Sequence, residues 1–359
     1  MAHGYTGRIL EIDLTLRRHT ISDTNMKDAE QYLGGRGLGI KTLWDRLPNA
    51  GVDPFSPANL LTFWPGPLSS LPFAGPSRIT VVTKAANTSP MEPALPHAST
   101  LTWSSLGGHF GPALKQAGYD GLIINGRADQ PVVLVIDENN VSLRNAPDLW
   151  GQTTSATLER LNRDLGSDFR LIAIGPAGEN GVKFAGITSD VKRTTARGGA
   201  GAVMGAKNLK AIAVRGSLPF PLHNPDGLIT LRGNITALLS AWNNYAQWRR
   251  WGATPLLLSS DRAGMLTTQN YREGSWADIA KLSLPTAERE FWLRHAACAY
   301  CPLKCVKIGQ LSQGPWKGVI AEGPGYSAGA MLGSNCGVND FGGLIKLISR
   351  ADDLGLDPI

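Results

Sequence analysis

The spacing of apolar residues divides the chain into a strand-rich first part and a helical second part. Up to about residue 217, short runs rich in Val and Ile are bounded by Gly, Pro or Asn, a pattern typical of β-strands joined by turns. The runs predict strands at Arg8–Leu14, Arg78–Lys84, Leu122–Asn125, Val132–Asp137, Val141–Arg144, Leu171–Ile174, Val182–Ile187 and Leu209–Arg215. We therefore expect a β-rich first domain over residues 1–217, with helices inserted among the strands.

Local signals refine this first part. Glu138-Asn139-Asn140 separates two strand-like runs and predicts a hairpin. Thr153–Leu165 has helical spacing, with Thr153 or Thr154 as the N-terminal cap and Gly166 at the end. The segment Gly4–Gly7 recurs in similar form as Gly118–Gly121, each time before an apolar strand, which indicates either a duplicated sheet unit or a coincidence.

A proline-rich segment, Pro219–Pro225, is the best candidate for a linker, because each proline blocks regular structure around it. Beyond it the apolar spacing becomes helical, first at Leu228, Leu231, Ile235, Leu238 and Leu239, then at Phe341, Leu344, Ile345 and Ile348. Asn339 or Asp340 can cap this last helix and Gly355 can end it. We expect a mainly α-helical second domain over 218–359, and one that is truncated, because the sequence stops directly after the helix.

Composition and charge exclude several classes of protein. Apolar residues make up 42 % of the 359 residues, enough for a core in each of two domains, and the net charge is +6. The basic residues form no run of five or six, so a nucleic-acid-binding arm is not indicated, although an anionic ligand is compatible with the charge. We find no signal peptide and no apolar stretch long enough for a membrane span. The predicted location is the cytoplasm.

The cysteines carry the strongest local signal. Cys298, Cys301 and Cys305 fall within eight residues, on a predicted turn leading into a helix, and thiolates at this spacing suit a metal site in a reducing compartment. An iron–sulfur cluster, a zinc ion with His295 nearby, and a metal-free turn all remain open from the motif alone. Cys336 is either a fourth ligand or a small buried thiol on a glycine-rich turn.

Two glycine-rich segments, Gly34–Gly39 and Arg197–Gly205, allow close approach of a phosphate or a flat heterocycle, or else tight packing of crossing elements. Neither segment fits a dinucleotide fingerprint or a P-loop. Arg193 and Arg197 favour an anionic ligand beside the second segment, because guanidinium groups match phosphate. Glu179, after a predicted strand, is either catalytic or, as we prefer, a turn-stabilising carboxylate.

Taken in order, these motifs resemble those of the aldehyde ferredoxin oxidoreductase family. The resemblance covers essentially the whole chain and is carried by Gly4–Leu14, Leu33–Gly39, Asp53–Pro57, Gly66–Leu68, Ala117–Asp120, Ile174–Asn180, Arg197–Lys207 and Cys298–Cys305. It implies an α+β fold, with an N-terminal β-rich saddle-like domain under the cofactor followed by helical domains that are incomplete here. It also implies a tungsten or molybdenum bis-pterin cofactor (tungstopterin or molybdopterin), Mg²⁺ bridging the pterin phosphates, and a 4Fe–4S cluster.

The resemblance assigns residues to these groups. The pterin would be bound by Arg78, by a turn that begins at Gly107 with Ser105 two positions before it, and by the C-terminal Asp-x-x-Gly-Leu-Asp motif. From the arginine-rich and C-terminal motifs it assigns Arg193, Thr194, Ala196, Arg197, Asp352, Leu356 and Asp357. The aspartates would accept hydrogen bonds from pterin N–H groups, and the arginines would meet the phosphates. The cluster would be ligated by Cys298, Cys301 and Cys305, with its fourth cysteine, like a second pterin motif, beyond residue 359.

Departures from the family pattern are informative. The family's glutamate near the metal, proposed for proton transfer, is Ser327 here, and a serine cannot serve as a base near neutral pH. The catalytic residue is therefore unknown. The family's Glu-x-x-His at a subunit-bridging metal reads Lys346-Leu347-Ile348-Ser349, so we do not expect that metal. Cys336 corresponds to no cluster ligand of the family.

The resemblance implies oxidation of a small aldehyde, or a related carbonyl compound, to the carboxylic acid, with electrons leaving through the cluster to ferredoxin or a similar acceptor. It also allows a homodimer. Two other classes stay open: a non-catalytic remnant that binds cofactor or cluster, and a zinc-binding interaction module. The predicted partners include no nucleic acid and no membrane.

Overall fold

A computed structural model describes residues 3–88, 100–190, 192–195, 197–219, 222–282 and 284–359. The strands are β1 Arg8–Asp13, β2 Arg18–Asp23, β3 Leu61–Pro65, β4 Ile79–Lys84, β5 Leu101–Leu106, β6 Gly121–Asn125, β7 Val132–Asp137, β8 Asn140–Asn145, β9 Arg170–Ala173, β10 Thr188–Ser189, β11 Leu209–Arg215, β12 Trp292–Ala296, β13 Val306–Gln310 and β14 Ile320–Glu322. The helices are α1 Met26–Tyr32, α2 Gly35–Arg46, α3 Phe110–Gln116, α4 Thr154–Leu165, α5 Pro176–Glu179, α6 Ala200–Ala206, α7 Pro225–Ala241, α8 Tyr245–Trp251, α9 Pro255–Arg262, α10 Leu284–Glu290, α11 Tyr326–Leu332 and α12 Phe341–Leu354.

The chain forms two compact units. The first comprises residues 1–230 together with Asp353–Asp357, and the second comprises 231–352 with the last two residues. The short C-terminal stretch Asp353–Asp357 thus belongs to the β-rich unit. Elements of both types in both units confirm the predicted α+β class, whereas the predicted domain boundary at residue 217 stays a prediction.

Two sheets form the frame of the first unit. In the described residues one sheet has the strand order β2-β1-β6-β3-β4-β5 and the other has the order β10-β9-β11-β7-β8. Helices α3 and α6 contact strands of both sheets, so they lie between them. Their buried residues, such as Leu114 and Val203, share one core with Phe63 of the first sheet and Ile212 of the second. A buried β-rich frame of this kind can hold loops in fixed positions.

The repeated Gly-Tyr segments stand side by side. They lead into β1 and β6, which are parallel neighbours with Ile9 opposite Gly121. Asp120 of the second segment accepts hydrogen bonds from the backbone N–H groups of Thr6 and Gly7 at 2.9 and 2.8 Å. It also forms an ion pair with Lys115, and both side chains are buried. Asp120 therefore ties the two segments together, which gives its sequence motif a structural role.

The predicted hairpin and two predicted helices are confirmed in detail. Asp137 pairs with Asn140 across the tight turn between β7 and β8. The Thr153 hydroxyl accepts a hydrogen bond from the N–H of Ala156 at the start of α4. In α12 the predicted face is buried, and the Asp340 carboxylate accepts from the N–H of Gly343 at 2.6 Å. Short-range capping and periodicity were sufficient for these elements.

Other predictions are wrong. The segment 182–187 is not a strand, because the N–H of Ile187 bonds to the Thr195 hydroxyl and the N–H of Gly186 bonds to the carbonyl of Gly355. The cysteine motif leads into β13 rather than into a helix. The second unit contains the antiparallel order β12-β13-β14 among its helices, which the helical periodicity did not reveal. Within the described residues no helix is long and apolar enough to cross a membrane.

Candidate cofactor site

The C-terminal motif and the arginine-rich motif meet in the first unit. Residues Gly355–Asp357 run beside 184–186, with Ala185 bridged to Leu356 and the N–H of Asp357 bonded to the carbonyl of Phe184 at 3.1 Å. The Asp357 carboxylate accepts a hydrogen bond from the N–H of Arg197 at 2.7 Å. The side chain of Asp357 is nearly buried, so this bond is shielded from water. Two segments 160 residues apart thus form one corner of the molecule.

A glycine permits this approach. A Cβ atom on Gly175 would lie 2.4 Å from the carbonyl carbon of Leu354, a distance that no side chain could occupy. Gly355 itself has a left-handed φ of 74°. The C-terminal segment can therefore reach the arginine-rich motif only because the strand-to-helix turn at Gly175 has no side chain.

A second group of predicted residues lies at one end of the β4–β5 pair. Arg78 directly precedes Ile79, which pairs with Leu106, so Arg78 and Gly107 flank the same end of the two strands. Ser105 pairs with Thr80 one position further along. Arg78 is exposed, Ser105 is half-buried and Gly107 is buried. The structure thus brings together three of the predicted residues from two separate motifs.

The two groups border the same strand. A Cβ atom on Gly198 would collide with the Thr102 side chain, so the arginine-rich motif packs against β5 at Thr102. Thr102 and Gly107 are five positions apart, roughly 17 Å along an extended strand. A ligand that reached both groups would have to be long, and it would meet Arg78 at one end and Arg197 at the other.

The remaining predicted residues fall into different places. Arg193 and Thr194 lie in a tight turn after β10, where the Arg193 N–H bonds to the Ser189 hydroxyl and the two hydroxyls of Thr188 and Thr194 lie 3.0 Å apart. Ala196 is outside the described residues. Asp352 is half-buried and lies in the last turn of α12, in the part of that helix that belongs to the second unit.

A polar network that the sequence did not reveal holds the C-terminal segment from a third side. The Ser155 hydroxyl donates to the Asp353 carboxylate at 2.5 Å, and the Lys192 ammonium donates to the Ser155 hydroxyl at 2.6 Å. Ser155 and Asp353 are 198 residues apart. Ser155 belongs to no motif, and Asp353 occupies an unspecified position of the C-terminal Asp-x-x-Gly-Leu-Asp motif, so the sequence predicts a partner for neither. Only the folded chain could show that they meet.

The other candidates are explained by packing. Glu179 accepts from the N–H of Gly151 at 2.7 Å and forms a buried ion pair with Lys210, so it is a turn-stabilising carboxylate. In the second glycine-rich segment, a Cβ atom on Gly205 would lie 2.0 Å from the carbonyl oxygen of Gly178. This close crossing of α5 and α6 accounts for that glycine without a ligand.

The cysteine motif forms the loop between β12 and β13. Cys298, Cys301 and Cys305 are all half-buried, and the N–H of Cys301 closes a turn on the carbonyl of Cys298 at 3.1 Å. Tyr300 and Lys304 have left-handed φ values of 58° and 47°, so the loop curls before each of the last two cysteines. In the described part of the chain no three His, Cys, Asp or Glu side chains are close enough together to hold a metal ion. The three thiols share one loop, and their chemistry suits an iron–sulfur cluster. That they ligate such a cluster stays a proposal.

Cations surround this loop. The Lys307 ammonium, buried beneath it, donates to the carbonyls of Lys304 and Arg249 at 2.6 and 2.8 Å, and burial lowers the pKa of Lys307 to about 8. Partial desolvation of the ring lowers the pKa of His295, and the positive charges of Lys307, Lys304 and Arg249 lower it further. Cys336, by contrast, is exposed and not buried as predicted, and its thiol donates to the carbonyl of Met331.

The positions that depart from the family pattern lie in the second unit. Ser327 is exposed in the first turn of α11. Lys346 of α12 lies over the ring of Trp316, with 5.9 Å between the ammonium and the ring centre. Neither position presents a carboxylate or an imidazole, so the described geometry supplies no general base there.

The donor set of the first unit fits an anionic, phosphate-bearing group. The guanidinium groups of Arg78 and Arg197 are exposed, and neither has a side-chain partner among the residues that the structure describes. Guanidinium groups bind phosphate through paired, charge-assisted hydrogen bonds. Asp357 fixes the backbone of Arg197 and thereby the base of its side chain.

Comparison with known proteins identifies relatives of both units. The family model of the N-terminal domain of aldehyde ferredoxin oxidoreductase matches residues 9–216, and the model of its domains 2 and 3 matches residues 232–359. The tungsten-containing aldehyde ferredoxin oxidoreductase of Pyrococcus furiosus is 33 % identical over 359 residues, which cover 99 % of this chain and 57 % of the relative. The WOR-like subunit of an aliphatic sulfonate oxidoreductase from the same organism is 31 % identical, with 99 % of this chain and 58 % of the relative covered.

A solved structure is also similar. It is the active-site complex BamBC of benzoyl-coenzyme A reductase in complex with 1,5-dienoyl-CoA, with a TM-score of 0.81 and 28 % sequence identity. The similarity covers 100 % of this chain and 54 % of the other. The chain thus spans a little over half the length of the proteins that it resembles.

Proposed function

Because the chain belongs to the aldehyde ferredoxin oxidoreductase family, we propose that its first unit holds a tungsten or molybdenum bis-pterin cofactor of an oxidoreductase. The observation that carries this proposal is the corner at which Asp357 binds the backbone of Arg197, because it joins two motifs that the family resemblance assigns to the pterin. The exposed guanidinium groups of Arg78 and Arg197 would bind its phosphates. A Mg²⁺ ion bridging those phosphates is part of the same proposal.

The proposed reaction is oxidation of a small aldehyde, or a related carbonyl compound, to the acid. When bound, the metal supplies Lewis acidity and the capacity to accept two electrons. The protein would place the cofactor through Arg78 near one end of β5 and Arg197 near the other, and water would supply the second oxygen of the acid. Cys298, Cys301 and Cys305 would hold a 4Fe–4S cluster that passes electrons to ferredoxin. We further propose a cytoplasmic location.

Metal analysis of the anaerobically purified chain tests this proposal. We expect tungsten or molybdenum together with iron, and we expect Cys301→Ala to remove the iron, whereas Cys336→Ser leaves the iron content and the electron paramagnetic resonance spectrum unchanged. Cys336 is the matched control, because its thiol is exposed and lies outside the loop. Iron without tungsten or molybdenum would indicate a non-catalytic remnant, and zinc alone an interaction module. Loss of iron in both variants would make Cys336 a ligand.

A second candidate function follows from Ser327. Without a carboxylate at this position, proton transfer during aldehyde oxidation would lack its expected base. The similarity to a benzoyl-CoA reductase complex favours reduction of an aromatic thioester as the alternative. Dye-linked assays separate the two: aldehyde-dependent reduction of an oxidised viologen supports the first function, and thioester-dependent oxidation of a reduced viologen supports the second. If the first is correct, Ser327→Glu should raise the aldehyde rate.

A further inference from the structure

The first glycine-rich segment, Gly34–Gly39, contains an arginine that packing does not explain. The segment itself is closely packed, because a Cβ atom on Gly39 would lie 2.3 Å from the Val82 side chain of β4. Arg36, in the first turn of α2, is exposed and has no hydrogen-bond or ion-pair partner among the residues that the structure describes. The helix dipole disfavours a cation in this turn, so the charge of Arg36 does not stabilise α2.

An aromatic ring holds the guanidinium group of Arg36. This group lies over the ring of Trp103 in β5, with 4.4 Å between the guanidinium carbon and the ring centre. A guanidinium stacked on an indole keeps the N–H groups at its rim available for hydrogen bonds. Trp103 is itself 45 % exposed, so both side chains are accessible to solvent. Together they present a flat cationic surface that a ligand can reach.

The Arg36–Trp103 pair lies on the same face of the first sheet as a predicted cofactor residue. Ser105 follows Trp103 by two positions in β5, so their side chains share a face and their Cα atoms are roughly 7 Å apart. Thr80 of β4 pairs with Ser105, and a Cβ atom on Gly35 would lie 3.2 Å from the Thr80 hydroxyl oxygen. Because Gly35 directly precedes Arg36, the start of α2 lies across the strand positions beside Ser105.

We propose that Arg36 and Trp103 form a binding subsite for an oxyanion, either a phosphate or a carboxylate. Arg36 would donate paired, charge-assisted hydrogen bonds, and Trp103 would fix the plane of the guanidinium group. The proposal rests on the proposed function, because it extends the group formed by Arg78, Ser105 and Gly107. That function offers two sources of the oxyanion: a phosphate of the cofactor, and the carboxylate of the acid that aldehyde oxidation yields.

The first arm of the test measures pterin per chain after anaerobic purification, in Arg36→Ala and in Arg163→Ala, an exposed arginine of α4, as the matched control. A content at least about tenfold below the wild type in Arg36→Ala alone would assign the oxyanion to the cofactor. Arg36→Lys should lose less, because it keeps the charge, and Trp103→Leu should act in the same direction as Arg36→Ala. The urea midpoint of Arg36→Ala should equal that of the wild type, since the side chain is exposed.

The second arm measures the binding of benzoate, a flat carboxylate, to the full chain by isothermal titration calorimetry. Full pterin content in Arg36→Ala with a dissociation constant about tenfold higher would assign the oxyanion to the acid. Full pterin content with wild-type benzoate affinity would overturn the proposal, as would equal losses in Arg163→Ala. A wild-type chain without pterin would contradict the proposed function alone. In that case weaker benzoate binding by Arg36→Ala would still support the subsite, and equal or absent binding would overturn it.

Discussion

Lys207 is a buried cation whose hydrogen-bond partners are backbone carbonyls. Its side chain is 1 % exposed, and its ammonium donates to the carbonyls of Asn59 and Gly126 at 2.6 and 3.1 Å. Burial, and to a lesser degree the positive charge of Arg127, lowers the pKa of Lys207 to about 7. Lys207 thus joins two loops at the end of the first sheet while carrying a charge that its surroundings disfavour.

The stability of the first unit should therefore depend on pH through Lys207. Between pH 7 and about 10.5 the unfolded chain keeps a proton that the folded chain has lost, so the free energy of unfolding should rise with pH in this window. Below pH 7 both states are protonated and the dependence should vanish. The rise can approach about 1.4 kcal/mol per pH unit. The measurement is urea denaturation of the wild-type chain and of Lys207→Met from pH 6 to 9.5. The wild type should show the rise in unfolding free energy, and Lys207→Met should lack it.

Lys207→Met will be less stable at most pH values, because the carbonyls of Pro57, Asn59 and Gly126 lose a donor. The comparison therefore uses the pH slope of the unfolding free energy and not its absolute value. The same slope in both proteins would show that Lys207 does not titrate in this window.

At the scale of elements, the crossing of α5 and α6 depends on glycine. Gly205→Ala would place a methyl group 2.0 Å from the carbonyl oxygen of Gly178, so the helices must separate, and we expect a loss of about 1–3 kcal/mol. Gly233 in α7 is the matched control, because a Cβ atom there meets no atom within 4 Å. Gly233→Ala should stabilise its helix by about 0.5–1 kcal/mol. The denaturation midpoints of the two variants should shift in opposite directions, down for Gly205→Ala and up for Gly233→Ala. Destabilisation by both substitutions would contradict the packing argument.

The strands with the clearest sequence signal are those with buried, β-branched runs. β7 and β11 are buried on both faces, and their Val and Ile residues mark them clearly. The edge strand β2 is almost wholly exposed. Its polar sequence therefore shows no alternation of apolar and polar residues, and the sequence analysis does not predict it. The sequence analysis does not predict β3, because this strand ends in Pro65, and proline is uncommon within strands.

The site could be predicted only in part. The motifs identified Arg78, Arg197 and Asp357 as candidates. They did not predict the hydrogen bond between Arg197 and Asp357, because nothing in either segment specifies its partner. The same holds for Ser155 and Lys192, whose polar side chains occupy unremarkable positions in the sequence. A helix face can also be misleading: the apolar stripe of α7 forms, yet none of its residues is buried. Periodicity predicts a helix, whereas burial depends on what packs against it.

At the scale of the molecule, the proposed cofactor residues Arg78, Arg197 and Asp357 belong to the first unit, and the cysteines belong to the second. Each unit therefore contributes one kind of chemistry. The first supplies exposed guanidinium groups for an anionic cofactor, and the second supplies thiols within a cationic surface. We propose that the first unit binds a metal–pterin cofactor through its two exposed arginines.

The most direct test is the amount of pterin and of tungsten or molybdenum per chain after anaerobic purification. It compares the wild-type chain with Arg78→Ala/Arg197→Ala and with Arg163→Ala, an exposed arginine of α4 in the same unit, as control. We expect pterin and metal in the wild type and in the control, and at least about a tenfold lower content in the double variant, since each charged hydrogen bond contributes about 1.5–3 kcal/mol. A double variant with full pterin and metal content, or a wild-type chain with none, would contradict the account.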